Sequence, residues 1–528
     1  MGQYLNPGTE AFQTSINSQI YIDKSLLIEK INRVICTEQK YICVSRPRRF
    51  GKSMAANMLA AYYGASREAK LLFAPLKISK EASYTKHLGN YDVIKINMQE
   101  FLSTSVNIEE MLAALQKRVL KDLHKVYSEY IHEDSLIWAM ADIYAATKRP
   151  FVILIDEWDC LFREYSHNLT AQKKYLDFLR SWLKDQPYVA LAYMTGILPI
   201  KKYGTHSALN MFNEYSMTDP GPLAPYFGFT EDEVQDLCAL YNMDFYNVQA
   251  WYDGYTLRAY AGEQNCVYSM YSPKSVVEAM LRHKLGTYWN QTETYEALKA
   301  YIAMDIADLK KAVITMLAGG QVAVNIGTFA NDMTSFQGRD DVLTLLVHLG
   351  YLSYDEEKGT VRIPNKEVAQ EYFNAVSTMS WGRLAEALKD SKELLHALWR
   401  KDADAVALGI ERAHEEISLL EYNDENSLSC TIGLAFYYAR EYYTMIRELP
   451  TGKGFADICF LPRKGQGDKP AVIIELKYNQ SARGAIDQIK QKKYTSALED
   501  YCGRLLLVGV NYDKRTKSHS CIIEEVEK

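Results

Sequence analysis

Tyr41-Ile-Cys-Val-Ser45 and the adjoining Arg46-Pro-Arg-Arg-Phe-Gly-Lys-Ser53 carry the strongest structural signal in this chain. The first five residues form a short apolar run, which predicts a buried strand, and a helical pattern continues from the second segment to Tyr63. A Gly-Lys-Ser triplet between a buried strand and a helix is the context in which a phosphate-binding loop forms. The segment therefore predicts strand, phosphate-binding loop and helix in that order.

Further apolar strands are predicted at 91–98, 151–155 and 188–194, and segments with helical periodicity separate them. Buried strands that alternate with helices are typical of a parallel α/β sheet. We expect a P-loop NTPase domain of this class over residues 1–205.

The loop has the composition that nucleotide phosphates require. Gly51 lets the backbone approach the nucleotide, Lys52 neutralises the β- and γ-phosphate oxygens, and the Ser53 hydroxyl takes a position on Mg²⁺. The general pattern GxxxxGK[ST] has glycine at the position of Arg46. The residues predicted to bind ATP here are Arg46, Pro47, Arg48, Arg49, Phe50, Gly51, Lys52 and Ser53.

Two acids follow directly on the third predicted strand. Asp156 is expected to hold Mg²⁺, and Glu157 to polarise the water that attacks the γ-phosphate. The alternative is a strand-end turn with two solvated carboxylates. Thr195, just past the next strand, is placed as a γ-phosphate sensor, or else as a plain turn residue.

Several short motifs together resemble the AAA-ATPase-like family of bacterial proteins. They are Tyr21-Ile-Asp-Lys-Ser25, the loop 46–53, Ile155-Asp-Glu-Trp-Asp159, Thr195-Gly and Trp251-Tyr-Asp-Gly-Tyr255. Arginine in the first glycine position is usual in that family. The resemblance covers essentially the whole chain and implies ATP binding, together with a C-terminal PD-(D/E)XK nuclease-like domain.

After Pro220 the sequence pattern predicts helices and no further buried strands, and Thr230-Glu-Asp-Glu233 is a capping box that marks the start of a helix. We expect a helical lid over 206–340 and a winged-helix-like module with connecting helices over 341–420. In that module a helix ending at Gly350 precedes a hairpin and a further helix from Asn365. No Lys/Arg cluster marks a recognition helix, which favours a structural spacer over direct DNA reading.

Residues 421–528 return to mixed α/β sequence and contain a second candidate site. Strands are predicted at 454–461, 471–477 and 504–510, with a helix over 482–498. Glu475 and Lys477 lie on one face of their strand, and Asp457 lies on the preceding strand of a hairpin. This predicts a restriction-endonuclease-like α/β domain with three polar side chains close together.

The chemistry of these three residues fits phosphodiester cleavage. Asp457 and Glu475 supply hard oxygen ligands for Mg²⁺ or Mn²⁺, and Lys477 would orient or help deprotonate the attacking water. The alternative is a degenerate relic of a nuclease. The resemblance to the nuclease-like family gives Gln488 and Tyr494, on the following helix, supporting roles.

Charge and composition limit the remaining choices. The chain of 528 residues has net charge -6, its apolar runs fall short of the roughly 18 residues of a membrane span, and its nine cysteines show no CxxC pair. We therefore expect a soluble, cytoplasmic protein without membrane contact. Residues 461–493 hold eight basic against three acidic residues, which indicates a nucleic-acid partner, DNA favoured, or else a solvated helix face.

Two functions remain open from the sequence. The first is an enzyme in which ATP hydrolysis gates a metal-dependent nuclease; the second is an ATP-dependent switch or scaffold that holds nucleic acid without cutting it. Translocation along DNA is less supported, since no helicase-type motif accompanies the loop. No arginine finger can be assigned, so a homo-oligomer stays one of the open states.

Overall fold

The computed structural model divides the chain into two compact units, Met1–Gln291 with Ala323–Glu367 and Thr292–Val322 with Val368–Lys528. The chain thus enters each unit twice. The four domain boundaries expected from the sequence stay predictions. The structure describes residues 2–66, 68–200, 209–261, 264–289, 296–330, 333, 335–379, 381–416, 425–451, 454–463, 466–491 and 504–526.

A parallel sheet forms the centre of the first unit. Its strands are β1 (Tyr41–Ser45), β2 (Asp92–Asn97), β3 (Phe151–Asp156), β4 (Val189–Gly196) and β5 (Asn213–Tyr215). Their order is β2-β3-β4-β1-β5. β1, β3 and β4 are buried along their whole length, as in sheets covered on both faces. The predicted α/β class is confirmed, and β4 lies between the strand before the loop and the strand that carries Asp156.

Helices surround this sheet and several of them begin at a side-chain cap. Asn107 accepts a hydrogen bond from the Glu110 N–H, and Asn168 from that of Ala171. The helices are α1 (Glu10–Ile16), α2 (Leu26–Asn32), α3 (Lys52–Tyr63), α4 (Ala69–Phe73), α5 (Tyr84–His87), α6 (Met98–Ser103), α7 (Ile108–Tyr127), α8 (Leu136–Thr147), α9 (Cys160–Glu164) and α10 (Leu169–Leu183). Met58 and Leu59 of α3 pack in one core with Val44, Leu154 and Tyr193 of the sheet, which fixes α3 against the strand ends.

The region after the sheet combines helices with a small antiparallel sheet. The capping box at Thr230 is confirmed, since Glu233 accepts a hydrogen bond from the Thr230 N–H at 2.9 Å. β8 pairs with both β6 and β7. This sheet was not predicted from the sequence. The elements are β6 (Phe229–Thr230), α11 (Glu231–Leu240), α12 (Phe245–Tyr252), β7 (Tyr255–Ala261), β8 (Gln264–Tyr271) and α13 (Pro273–Arg282).

The predicted order of helix, hairpin and helix around Gly350 is confirmed. Gly350 ends the first helix with φ +88, the left-handed conformation that favours glycine. The hairpin strands pair in antiparallel register, Ser353 opposite Arg362. The elements are α14 (Glu296–Ile302), α15 (Leu309–Leu317), β9 (Val322–Ala323), α16 (Arg339–Leu349), β10 (Ser353–Asp355), β11 (Thr360–Arg362) and α17 (Lys366–Ser377).

The second unit contains a mixed sheet with helices on both faces. The strand order is β12-β13-β14-β15-β16, and β14 and β15 are parallel while the other neighbours are antiparallel. The strands are β12 (Tyr443–Thr451), β13 (Gly454–Pro462), β14 (Ala471–Tyr478), β15 (Leu505–Asp513) and β16 (Ser518–Val526). The helices are α18 (Gly382–Trp399), α19 (Ala403–Glu416), α20 (Glu425–Ala435) and α21 (Ala482–Gln491).

The alternation of side chains along β14 separates two cores. Val472, Ile474 and Leu476 pack with residues of α18, α19 and α20, whereas Ile473 packs with Ile486 and Ile489 of α21. Glu475 and Lys477 share the face of Ile473 and therefore lie on the side of α21. In the described part of the chain, no helix is both long and apolar enough to cross a bilayer.

Candidate functional site

The predicted phosphate-binding loop lies between β1 and α3, at the carboxyl end of the sheet. Gly51 has φ +87, and in the described part of the chain, apart from its sequence neighbours, no atom lies within 4 Å of where its Cβ would be. A Cβ at this position would fill open space in front of the helix N-terminus. An anion can therefore approach the backbone closely at Gly51, as phosphate binding requires.

Lys52 is folded back onto its own loop. Its Nζ donates hydrogen bonds to the carbonyl oxygens of Arg46 at 2.9 Å and Pro47 at 3.0 Å. Burial lowers the pKa of Lys52, and the charges of Glu157 and Asp156 oppose this shift. The ammonium group is thus held at the loop by two carbonyls and faces the acids at the end of β3.

The other loop residues divide into buried and exposed ones. The Arg48, Arg49 and Ser53 side chains are exposed, whereas Pro47 and Phe50 are buried. Arg49 has φ +71, which places it in the left-handed region together with Gly51. The exposed residues of the loop are therefore the ones accessible to a ligand.

Arg46 is fully buried, and its side chain turns away from the loop. Nη1 donates to the Ser45 carbonyl at 2.9 Å and to the Tyr215 carbonyl at 2.8 Å, and the guanidinium lies 5.6 Å from the Phe227 ring centre. Burial lowers the pKa of Arg46 to about 10. The side chain of Arg46 thus joins β1 to β5, and it is the backbone of Arg46 that belongs to the loop.

Asp156 and Thr195 come together at the ends of β3 and β4. The Thr195 hydroxyl donates to Asp156 Oδ1 at 2.5 Å, and the Glu157 N–H donates to the same oxygen at 3.1 Å. Both hydrogen bonds are therefore accepted by Oδ1 of Asp156 and not by its Oδ2. Mg²⁺ prefers oxygen ligands. The nearly buried Asp156 carboxylate and the exposed Ser53 hydroxyl are ligands of this kind, so the residues present fit a Mg²⁺ ion.

Glu157 is held in an uncommon backbone conformation, with φ +53. Burial raises its pKa, although Lys52 and Arg163 act in the opposite direction. Arg163, on α9, forms an ion pair with Glu157, and its Nε also lies 3.4 Å from Oδ2 of Asp159. The carboxyl group predicted to act as the base is therefore less acidic than an ordinary glutamate and is fixed by an arginine.

Sequence reasoning gave Asp159 and Arg163 no role. Asp159 is completely buried, and its Oδ2 accepts from the N–H groups of Ile197 at 3.0 Å and Leu198 at 2.8 Å. Asp159 therefore ties the segment after β3 to the segment after β4. The signal was present, since Asp159 is part of the motif at 155–159, and Arg163 follows it by one helical turn.

The second candidate site lies in the second unit, on the α21 side of its sheet. Ile458 of β13 is paired with Ile474 of β14 in antiparallel register. Asp457, the residue before Ile458, is therefore opposite Glu475, the residue after Ile474. Its Oδ2 accepts a hydrogen bond from the Leu476 N–H at 2.7 Å. The two carboxylates thus come from adjacent strands to one place, as the sequence predicts.

Lys477 and Gln488 complete this site. Lys477 Nζ lies 3.3 Å from Glu475 Oε1 and donates to Gln488 Oε1 at 2.7 Å, and Gln488 donates in turn to Glu475 Oε1. Glu475 is 1% exposed and Lys477 9%. Gln488 on α21 is therefore hydrogen-bonded to both side chains. Tyr494, the other supporting residue, lies outside the described residues.

The oxygen donors of this site suit a divalent ion. Asp457 and Glu475 are hard carboxylate ligands, and the backbone near Leu476 adjoins them. Among the described residues no group of three His, Cys, Asp or Glu side chains is arranged to hold a metal. An ion here would need backbone or water oxygens besides the two carboxylates.

The basic segment at 461–493 is partly neutralised in the structure. Arg483 and Lys490 of α21 both pair with Glu524 on β16, and Lys469 pairs with its neighbour Asp468. Lys464, Lys492 and Lys493 lie outside the described residues. A count confined to the segment missed Glu524 because it comes more than thirty residues later in the chain.

Comparison with known proteins finds a match for each of the two regions that contain these residues. Residues 7–205 match the family described as predicted AAA-ATPase, and residues 423–521 match the PD-(D/E)XK nuclease superfamily. The chain therefore contains an AAA-ATPase-like domain followed by a domain of the PD-(D/E)XK nuclease superfamily, and the resemblance noted from its motifs is confirmed.

The proteins similar to it include a bacterial relative and a solved archaeal structure. Over 499 residues, 90% of each chain, it is 24% identical to an Azotobacter chroococcum mcd 1 protein described as an uncharacterized protein in the vnfD 5' region. The Walker-type ATPase PABY2304 of Pyrococcus abyssi is 13% identical, with a TM-score of 0.34 over 66% of this chain and 94% of its own.

Proposed function

We propose that this protein binds and hydrolyses ATP at the loop 46–53 and cleaves nucleic acid at Asp457, Glu475 and Lys477, with ATP regulating the cleavage. One observation carries the proposal: each unit gathers the polar residues of its reaction at one place. In the first unit Lys52, Asp156 and Thr195 meet at the carboxyl edge of a parallel sheet, where α/β proteins bind their ligands.

For ATP hydrolysis, Lys52 would exchange its two loop carbonyls for phosphate oxygens. Ser53 and Asp156 would hold Mg²⁺, which neutralises the charge on the phosphates when it is bound. Thr195 keeps Asp156 oriented through its hydroxyl. Glu157 would accept the proton of the attacking water, and its raised pKa makes it a better proton acceptor than an ordinary glutamate.

For phosphodiester cleavage, Asp457 and Glu475 would hold Mg²⁺ or Mn²⁺, which activates water and polarises the phosphate when it is bound. Lys477 would position the attacking water and offset the charge that develops on the phosphate. Gln488 keeps Lys477 and Glu475 in register with each other. These roles require a buried, pre-oriented group of side chains, which is the arrangement around Glu475.

A second function is an ATP-dependent switch or scaffold that holds nucleic acid without cutting it. Among the described residues no group of three His, Cys, Asp or Glu side chains is arranged to hold a metal, which favours this alternative because cleavage needs a bound ion. The complete set of Asp457, Glu475 and Lys477 favours cleavage. DNA as the partner, a cytoplasmic location and a homo-oligomer stay predictions.

A cleavage assay separates the two functions. Plasmid DNA is incubated with the full chain and Mg²⁺ or Mn²⁺, with and without ATP, alongside Glu475→Ala and Lys52→Ala. We expect metal-dependent nicking that Glu475→Ala abolishes while ATP turnover continues. Lys52→Ala should lose ATP binding by calorimetry and the effect of ATP on cleavage.

The opposite results are equally informative. Plasmid that stays intact under every metal condition, while the protein still retards DNA in a gel, supports the scaffold. Unchanged ATP affinity in Lys52→Ala contradicts the assignment of the loop.

A further inference from the structure

The buried residues of the phosphate-binding loop contact the region that follows the ATPase sheet. The Phe50 ring meets the Tyr255 ring edge-on, with ring centres 5.4 Å apart and planes at 84°. The Phe50 carbonyl accepts a hydrogen bond from the Gly228 N–H at 3.1 Å. Phe50 immediately precedes Gly51 and Lys52, so this contact fixes the end of the loop that enters α3.

The start of the loop is in contact with the end of α16. A Cβ built on Gly350 would lie 2.8 Å from Cβ of Pro47, so the backbone of Gly350 packs directly on the proline ring. Pro47 is also one of the two residues whose carbonyl accepts from Lys52. If Lys52 Nζ moves, the Pro47 carbonyl loses a hydrogen bond, and Pro47 is the residue in contact with Gly350.

Tyr255 joins these two contacts. Its ring packs on Phe50, and its hydroxyl donates a hydrogen bond of 2.6 Å to the Gly350 carbonyl. The side chain is 2% exposed, so this hydroxyl has little access to water as an alternative partner. One buried side chain thus links the end of the loop at Phe50 with the residue that supports its start at Pro47.

We propose that Tyr255 is a positioning residue that couples the conformation of the phosphate-binding loop to the segment of α16, β10 and β11. Bound phosphate would draw Lys52 away from the Pro47 carbonyl, and the contact of Pro47 with Gly350 passes the change to the end of α16. This assigns a role to the last residue of the motif at 251–255. The inference rests on the proposed ATP binding at the loop.

A tryptophan in the same contact provides a reporter. The Trp289 ring lies 3.2 Å from the position of a Cβ on Gly350 and packs edge-on against Tyr351, with ring centres 5.1 Å apart. The full chain labelled with 5-fluorotryptophan has seven tryptophans, and Trp289→Phe identifies the resonance of this one. The nucleotide is a non-hydrolysable ATP analogue with Mg²⁺.

Tyr255→Phe tests the link because it keeps the ring on Phe50 and removes only the hydroxyl. We expect the analogue to shift the Trp289 resonance in the parent chain. In Tyr255→Phe the affinity should stay within about threefold, while the shift falls to less than half. The matched control is Tyr260→Ala on the same strand, where the side chain is 57% exposed and the shift should persist.

Gly350→Ala tests the contact with the loop from the other side. Its Cβ would press on Pro47, so nucleotide affinity should fall at least about tenfold, or about 1.4 kcal/mol. Gly359→Ala is the control, since Gly359 also has positive φ in the same segment, but no described residue other than its sequence neighbours lies within 4 Å of its Cβ position. It should bind the analogue like the parent.

The outcomes separate this inference from the proposed function. A parent chain that does not bind the analogue contradicts ATP binding itself. A parent that binds while the Trp289 resonance stays unmoved, or a Tyr255→Phe chain with the full shift, overturns the coupling alone. Equal affinities of Gly350→Ala and Gly359→Ala overturn it as well.

Discussion

Arg163 forms an ion pair with Glu157, the residue proposed to accept a proton from the attacking water. Burial alone would lower the pKa of Arg163, but Asp159 and Glu157 hold it above its ordinary value. The arginine therefore stays charged and keeps the Glu157 carboxylate in one orientation. The position of Glu157 is fixed by this ion pair, by its left-handed backbone conformation and by the hydrogen bond from its N–H to the Asp156 side chain.

Glu157→Gln should stop ATP hydrolysis and leave ATP binding intact. The amide keeps the size and the contact with Arg163 but cannot accept the proton, so kcat should fall about 10²- to 10⁴-fold. ATP affinity should change by less than about threefold. Phosphate release and calorimetry measure the two quantities. Glu164→Gln, at the exposed position directly after Arg163, is the control, and an equal loss there would contradict the assignment.

The pH dependence of ATP hydrolysis should report the raised pKa of Glu157. The active form is the deprotonated one, so kcat falls as the pH is lowered through this pKa, which burial places above the ordinary value of 4.5. A profile of kcat between mildly acidic and neutral pH measures it. An acid limb centred at or below 4.5 would argue against Glu157 as the base.

The same shift makes a prediction for stability. A carboxyl group whose pKa is raised by folding favours the folded state below its unfolded pKa, and this contribution is lost as the pH rises through the folded pKa. Glu157→Gln should therefore raise the melting temperature at neutral pH, and the gain should vanish below pH 4.5. Differential scanning calorimetry at both pH values tests the sign, and a lower melting temperature at neutral pH contradicts it.

The extent to which the sequence predicted the first site depends on how local each signal is. The strand before Arg46, the helix to Tyr63 and the acids after β3 lie in continuous patterns, and the structure has them at the predicted places. The direction of the Arg46 side chain could not be predicted, because its partners Tyr215 and Phe227 come from remote segments. The short strand β5 was missed for the same reason, since only its pairing with β1 defines it.

The second site shows the same division. The register of Asp457 against Glu475 follows from alternation and a hairpin, so the sequence was sufficient. The neutralising role of Glu524 depends on β16 folding next to β15, and no local pattern contains that information. The antiparallel sheet of β6, β7 and β8 was overlooked because the capping box at Thr230 announced helices for the region as a whole.

Gln488→Leu should weaken the second site without removing its reactive groups. The amide is hydrogen-bonded to both Lys477 and Glu475, and loss of such a supporting contact typically costs about 10- to 100-fold in metal affinity. The metal concentration for half-maximal cleavage should rise accordingly, as a titration with Mn²⁺ measures. Gln491→Leu, at the exposed end of the same helix, is the control. If both variants need the same metal concentration as the parent, Gln488 does not position the site.

Gly254→Ala should destabilise the first unit strongly. Gly254 has φ +140, and a Cβ there would lie 2.0 Å from the Pro364 carbonyl oxygen, so backbone must move. We expect a loss of about 3 to 5 kcal/mol in unfolding free energy, against about 1 to 2 kcal/mol for Gly359→Ala, which has only the strain of positive φ. Urea unfolding followed by tryptophan fluorescence measures both. Equal losses would mean that the contact with Pro364 costs nothing.

The chain crosses from one compact unit to the other at residues 291/292, 322/323 and 367/368. With this interleaved order, no single cut in the chain separates all of one unit from all of the other. Truncations designed to isolate either unit would likewise have to splice two separate segments. Any continuous fragment that contains the whole of one unit therefore also contains a segment of the other.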